Sequence, residues 1–210
     1  MALNINGTTG ISGVDGSVSA PAVTGTDSNT GITFPAADTI KFSTGGIERM
    51  SITNSGITGI TAGITEAAEW NLTSGLSSGT GATLTSNLVQ VDYIGSGMSE
   101  SSGVFTFPST GMYLIIYIVT GYASALNRYA GGEISATTNN SSYSNIAEGY
   151  SNTNNDANNY FHVTIPCIFD VTNVSTHKVT FLISAENDVT VSGTSGRLIT
   201  GMNFLRLGDT

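Results

Sequence analysis

The stretch Phe105-Thr106-Phe107-Pro108-Ser109-Thr110-Gly111-Met112-Tyr113 reads as the end of one strand, a corner and the start of another. Pro108 has no N–H to give to a ladder, so a strand carrying Phe105 and Phe107 stops there. Gly111 admits backbone conformations that other residues resist, and Tyr113 opens the next strand with a large ring for a core. The run from Met112 to Val119 is apolar apart from its tyrosine hydroxyls. It has the length of a strand and falls well short of the ~18 residues of a membrane span. Lacking a polar face, it calls for two covers, one from an opposing sheet and one from a neighbouring subunit.

Further strand-length apolar runs lie on either side, separated by turn residues: Leu88 to Ile94, Gly103 to Phe107, Gly132 to Ala136, Tyr160 to Phe169, Lys178 to Ser184, Asp188 to Ser192 and Leu198 to Leu207. In the last of these Met202 and Phe204 fall on one side. Many short strands without a long helix predict an all-β chain in which residues 66–210 form an antiparallel sandwich or jelly roll. Ahead of it, Thr65-Glu66-Ala67-Ala68-Glu69-Trp70 offers a helix cap and a short helix-compatible run, read as a hinge.

The residues before this hinge have another character. An isolated Ile follows Gly in Thr9-Gly10-Ile11, Thr30-Gly31-Ile32, Ser55-Gly56-Ile57, Thr58-Gly59-Ile60 and Ala62-Gly63-Ile64, and bulky apolar residues are too sparse for a core. Disordered segments pair low hydrophobicity with high charge, yet only Asp15, Asp27, Asp38, Lys41, Glu48 and Arg49 are charged before position 65. Residues 1–38 are therefore expected to be an extended segment ordered against other chains. In residues 39–65, Ile40 and Phe42 alternate with Lys41 and Ser43, Thr44-Gly45-Gly46 supplies a turn, and Met50 and Ile52 resume the alternation. This predicts a hairpin stalk. A lone hairpin is marginal in water, so packing against copies of itself is expected.

Charged residues make up 10% of the 210, against roughly 25% in an average domain. With six Lys plus Arg and a net charge of −9, the chain lacks the clustered cations that neutralise phosphates, so neither nucleic acid nor an anionic membrane surface is an expected partner. Met1 to Asn6 has neither the basic start nor the apolar middle of a signal peptide, and export by the general secretory route is not expected. The single Cys167 excludes an intrachain disulfide, and no Lys, Arg or His adjoins it to lower its pKa.

Motifs of catalysis are not apparent. His162 lies in an alternating strand and His177 in a turn, neither beside a nucleophile elbow. Asp92, Glu100, Glu133, Glu148, Asp156, Asp170, Glu186 and Asp188 are scattered without a glycosidase pattern. Asn154-Asn155-Asp156 and Glu186-Asn187-Asp188 carry oxygen ligands of the kind calcium takes, but without a recognised spacing they read as turn residues. No enzyme and no cofactor are expected. The stretch from Thr137 to Tyr160 is unusually rich in Asn, Ser and Tyr. It reads either as a solvated loop or as a binding surface of tyrosine anchors and adaptable amides, with Tyr143, Asn145, Tyr150, Asn152, Asn154, Asn155 and Asn158 as its candidate contacts.

Two resemblances extend this reading. The Phe105 to Tyr113 stretch, with Asn159-Tyr160-Phe161-His162-Val163 and Thr200-Gly201-Met202-Asn203-Phe204-Leu205, resembles the pattern of C1q-like and tumour-necrosis-factor-like jelly rolls. Phe105, Phe107, Pro108, Gly111, Tyr113 and Phe204 are its core and trimer-forming positions. Gly16 to Val23, Asn29 to Ile40 and Gly46 to Gly56 are similar to a module of fibre proteins in tailed bacteriophages, especially those of marine bacteria. Together the resemblances imply a homotrimeric fibre of the tail, neck or head, assembled in the host cytoplasm and exposed on the virion. Residues 1–38 would join other virion proteins, and the knob would contact a host glycan or protein. A knob that only caps trimerisation and, more remotely, a glycan depolymerase are the alternatives.

Overall fold

The computed structural model describes residues 4–6, 10–12, 15–59, 63–123, 126–156 and 159–210, and the chain divides into two compact units, Met1–Gly63 and Ile64–Thr210. No helix occurs among the described residues.

In the first unit, β1 (Asn4–Asn6) pairs with β2 (Gly10–Ser12), and β3 (Gly16–Ser17) with β4 (Ala20–Pro21). A five-stranded antiparallel meander follows: β5 (Val23–Thr24), β6 (Gly31–Thr33), β7 (Ile40–Thr44), β8 (Ile47–Thr53) and β9 (Gly56–Thr58). The expected hairpin is its centre, with Ile40 opposite Ile52 and Phe42 opposite Met50. The register also aligns Val23 with Ile32, Ile32 with Phe42, and Ile52 with Ile57, so one sheet face is apolar. None of its Ile, Val, Phe or Met side chains among the described residues is fully buried; the buried ones are Thr33, Ser43 and Ser51. Residues 16–38, expected to be extended, contribute strands of their own because Gly31-Ile32-Thr33 pairs with the edge of the hairpin.

The second unit contains β10 (Ala67–Leu72), β11 (Ser74–Ser78), β12 (Leu88–Ile94), β13 (Ser99–Ser101), β14 (Val104–Thr106), β15 (Gly111–Ala123), β16 (Asn127–Thr137), β17 (Ser144–Asp156), β18 (Tyr160–Val171), β19 (Lys178–Ala185), β20 (Val189–Thr194) and β21 (Gly201–Gly208). One sheet runs β11-β20-β15-β21-β10-β12, with β18 along the other edge of β15; the second runs β13-β14-β19-β16-β17. All pairings are antiparallel. Non-consecutive neighbours make this a jelly roll rather than a meander.

One sequence expectation fails here, and one alternative is decided. Residues 67–72 are a strand, not a helical hinge. Ala68, Trp70 and Leu72 alternate into the core while the backbone pairs with β21 on one side and β12 on the other, and two ladders outweigh the modest helix preference of Ala and Glu. Of the two alternatives for 137–160, the solvated loop does not hold: the stretch is mainly the strand β17, because Gly149 and Ala147 meet Gly132 and Ile134 on β16.

Rings join the two sheets. Phe105 stands 5.2 Å from Trp70, 5.2 Å from Phe181 and 5.4 Å from Phe204, and Phe107 stands 4.7 Å from Tyr113. Such pairs each add ~0.5–1.5 kcal/mol beyond area burial. Gly111 has φ +144°, and a Cβ there would lie 2.5 Å from the Gly208 oxygen, which suits glycine alone. Tyr117 is fully buried, 5.1 Å from the Phe181 ring, and its hydroxyl has no hydrogen-bond partner among the described residues. Gly132 makes room for it, since a Cβ would sit 2.4 Å from Tyr117 Cε1.

A buried unsatisfied hydroxyl costs ~1–3 kcal/mol. Tyr117→Phe is therefore expected to raise the denaturant midpoint, whereas Gly132→Ala lowers stability by ~1–3 kcal/mol through overpacking. Equilibrium unfolding of the two variants beside the parent checks both signs.

Candidate functional site

The outer faces of the two sheets differ in chemistry. On the larger sheet, β15 alternates between fully buried Tyr113, Ile115, Tyr117 and Val119 and half-buried Met112, Leu114, Ile116 and Ile118. Register carries the second set outward across five strands: Ile168 lies beside Leu114, Leu114 beside Leu205, Leu205 beside Ala67, and Ala67 beside Ile94. Ile168 and Ile94 are 60% and 53% exposed. The opposing sheet covers one face of Met112 to Val119; among the described residues of this unit the second face has no such cover.

The smaller sheet turns a polar face outward. Along β16, Tyr129, Glu133 and Ser135 alternate with Ala130, Gly132, Ile134 and Ala136, which face the core. Glu133 lies between Leu182 of β19 and Glu148 of β17; Ser135 lies between Thr180 and Asn145; Gly131 lies between Ser184 and Tyr150. Tyr150 packs edge-on against Tyr129, with ring centroids 5.2 Å apart. Its hydroxyl donates to Glu148 Oε2 at 3.0 Å and accepts from Ser184 Oγ at 3.3 Å. The bond from Ser184 draws the Tyr150 phenol pKa down, but desolvation and the nearby Glu148 and Glu133 carboxylates outweigh it and push the value up. Asn145 Nδ2 donates to Glu148 Oε2 at 2.8 Å, and Ser135 Oγ donates to Glu133 Oε1 at 2.6 Å.

Beside this array lies an open groove of about 350 Å³, lined by the hydroxyl residues Thr83, Thr85, Ser102, Ser135 and Thr180, by Leu182 and Val104, and by the ring of Tyr143. That volume is at the lower end of small-molecule sites, ~300–1,000 Å³. Thr180 is only 8% exposed, and its hydroxyl has no partner among the described residues. Desolvation raises the pKa of the Tyr143 phenol.

The structure thus brings Tyr143, Asn145 and Tyr150 onto one sheet face. Asn152 and Asn154 lie further along β17, where Asn152 Oδ1 accepts the Asn154 N–H and Asn154 has φ +54°. The Asn155 side chain and Asn158 lie outside the described residues. Asn139 is engaged in the corner between β16 and β17, its Oδ1 accepting the N–H groups of Ser141 and Ser142. Phe105, Phe107, Tyr113 and Phe204 are buried in the core and do not belong to either outer face. Sequence reasoning missed Thr180, Leu182 and Tyr129, and weighed Glu133 only as one of the scattered acids. Their signal was the alternation of Tyr129 to Thr137 and of Lys178 to Ser184, which marks an outer face once both runs are placed as neighbouring strands.

Both histidines meet threonine hydroxyls: His162 Nδ1 is 2.8 Å from Thr120 Oγ1, and His177 Nε2 is 3.2 Å from Thr172 Oγ1. No three His, Cys, Asp or Glu converge among the described residues. Glu186 of the acidic run 186–188 is paired with Arg128 at 2.7 Å, which holds its carboxyl pKa below the usual range.

Comparison with solved structures decides the architecture. The structure of Eiger TNF from S. frugiperda superposes with a TM-score of 0.53 at 9% identity, covering 69% of this chain and 93% of that one. This unit has the TNF-like jelly-roll fold. Murine APRIL at pH 8.0 is also similar, with a TM-score of 0.47, 14% identity, 68% of this chain and 99% of that chain covered. The chain matches no protein-family model and no curated protein sequence. The covered share is about that of the second unit in the whole chain.

Cys167 packs against this jelly roll's core, and desolvation lifts its thiol to about 11. A raised thiol pKa favours folding below the unfolded value and loses that contribution as pH climbs through about 11. Native protein is therefore expected to react with a thiol-specific disulfide reagent about a hundredfold more slowly at pH 8 than urea-unfolded protein, gaining rate with pH. Parallel absorbance traces on the two samples check this.

Proposed function

We propose that the chain is a homotrimeric, non-enzymatic fibre protein of a tailed-phage virion, whose TNF-like knob attaches to the host surface through the polar face of its smaller sheet. The carrying observation is the apolar row Ile168, Leu114, Leu205, Ala67 and Ile94 on the larger sheet. A soluble monomer rarely leaves so continuous a patch uncovered, and copies of the subunit packed head to tail around a threefold axis would cover it. The first unit supports the same reading, because the apolar face of its meander lacks a cover within its own sheet. Its resemblance to phage fibre modules supplies the virion setting, with residues 1–38 as the attachment segment to other virion proteins. The opposite, hydroxyl-rich face then remains outward, and three copies per fibre with several fibres per particle multiply weak contacts into avidity.

Ile116 lies in the same outer row of β15, beside Pro166 and Asn203. Ile116→Asp is expected to convert a trimer into a monomer with retained β-sheet circular dichroism, as read by sedimentation; a trimeric variant would remove this face as the interface. Fluorescently labelled full-length protein is expected to bind host cells and not non-host cells. Equal binding to both would leave the chain a structural cap without a receptor role.

A further inference from the structure

The polar groove and the carboxylates beside it carry a narrower conclusion, which rests on the host-attachment reading. Glu133 and Glu148 stand directly opposite each other on neighbouring strands. Like charges in that relation repel, yet the donors that hold them are neutral: Ser135 for Glu133, and Asn145 and Tyr150 for Glu148. The ion pairs among the described residues are Lys41 with Glu48, Arg128 with Glu186 and Arg206 with Asp209, so neither carboxylate is matched by a cation.

The groove begins where this array ends. Ser135 belongs to both, lining the groove while donating to Glu133, and Leu182, opposite Glu133 in register, lines it too. Inside it lies Thr180, a residue 8% exposed, whose hydroxyl makes no hydrogen bond among the described residues and is open to the groove. That hydroxyl can bond a ligand group entering the groove, and Tyr143 offers a ring beside it. The groove overlies β14, β19 and β16, inside the sheet rather than at an edge, so an extended peptide cannot enter by strand addition.

We propose that this groove binds an oligosaccharide through a sugar carrying a free, protonated amine, with the ring against Tyr143 and the Thr180 hydroxyl and the ammonium between Glu133 and Glu148. Hydroxyls fix the ring, and the unmatched carboxylates select the charge. A cation placed there offsets the repulsion expected of like charges on facing residues. A sugar whose amine is acetylated loses that charge and adds bulk at the same point.

Titration calorimetry of the full-length protein with tetraglucosamine and with its fully N-acetylated counterpart tests the assignment. Tetraglucosamine is expected to bind about tenfold or more tighter, the scale of a charge-assisted hydrogen bond, and to weaken with added salt. Glu133→Gln/Glu148→Gln should bring the two ligands to similar affinity, and because both changes are isosteric and remove repulsion they should leave the unfolding midpoint unchanged or higher. Thr180→Val should weaken tetraglucosamine binding without that equalisation. Equal affinity of the two sugars for the parent, an unaffected double variant, absence of tetraglucosamine binding, or equal affinity for trilysine would each overturn the proposal. The attachment reading is judged separately by host-cell binding, which would persist if the receptor were a neutral glycan or a protein.

Discussion

The contact on which this jelly roll depends is that of Phe105 with Trp70, Phe181 and Phe204. Phe105 belongs to the short strand β14 of the smaller sheet; Trp70 and Phe204 belong to the larger one. The ring thus ties the two layers at the point where β14 is held by only two register pairs to β19. A strand so short gains little from its own ladder. Its position comes from burying an aromatic residue worth ~150–250 Å² against rings of the opposite sheet, and Pro108 then turns the chain out of one sheet toward Gly111 at the start of the other.

From that tie the two outer faces acquire opposite chemistries. Inward residues are fixed by the shared core, so every intervening residue must face out. On β15 the intervening residues are Met112, Leu114, Ile116 and Ile118; on β16 and β19 they include Tyr129, Glu133, Ser135, Thr180 and Ser184. One surface is suited to excluding water and the other to exchanging hydrogen bonds with it. The division places proposed assembly and proposed recognition back to back, so a change in one need not disturb the other.

How much of this was legible in the sequence follows from what each residue had to satisfy. The strands at Leu88, Met112, Tyr160, Lys178 and the C-terminal Met202 and Phe204 declared themselves through local apolar pattern. Residues 67–72 did not, because the preference of Ala-Ala-Glu is local whereas the pairing of Trp70 with Met202 spans most of the domain. β17 was hidden for a related reason: Gly149 and Ala147 are small because they face Gly132 and Ile134, and small residues among Asn and Ser look like a loop until their partners are known. Half of the candidate face was legible. Tyr143, Asn145 and Tyr150 stood together in sequence, while Glu133 and Thr180 reach them only through register.

Pro166 lies in the middle of β18, the outermost strand beside β15, opposite Ile116. Proline is accepted at such a position because an edge strand can forgo an N–H. It also interrupts the row of donors that another chain would need to extend the sheet. Growth by adding strands is disfavoured at this rim, which leaves the outer face as the surface for the proposed contact between subunits. A face-to-face contact about a rotation axis closes on itself after a fixed number of copies, so the proposed trimer would be a countable particle and not an open-ended fibril.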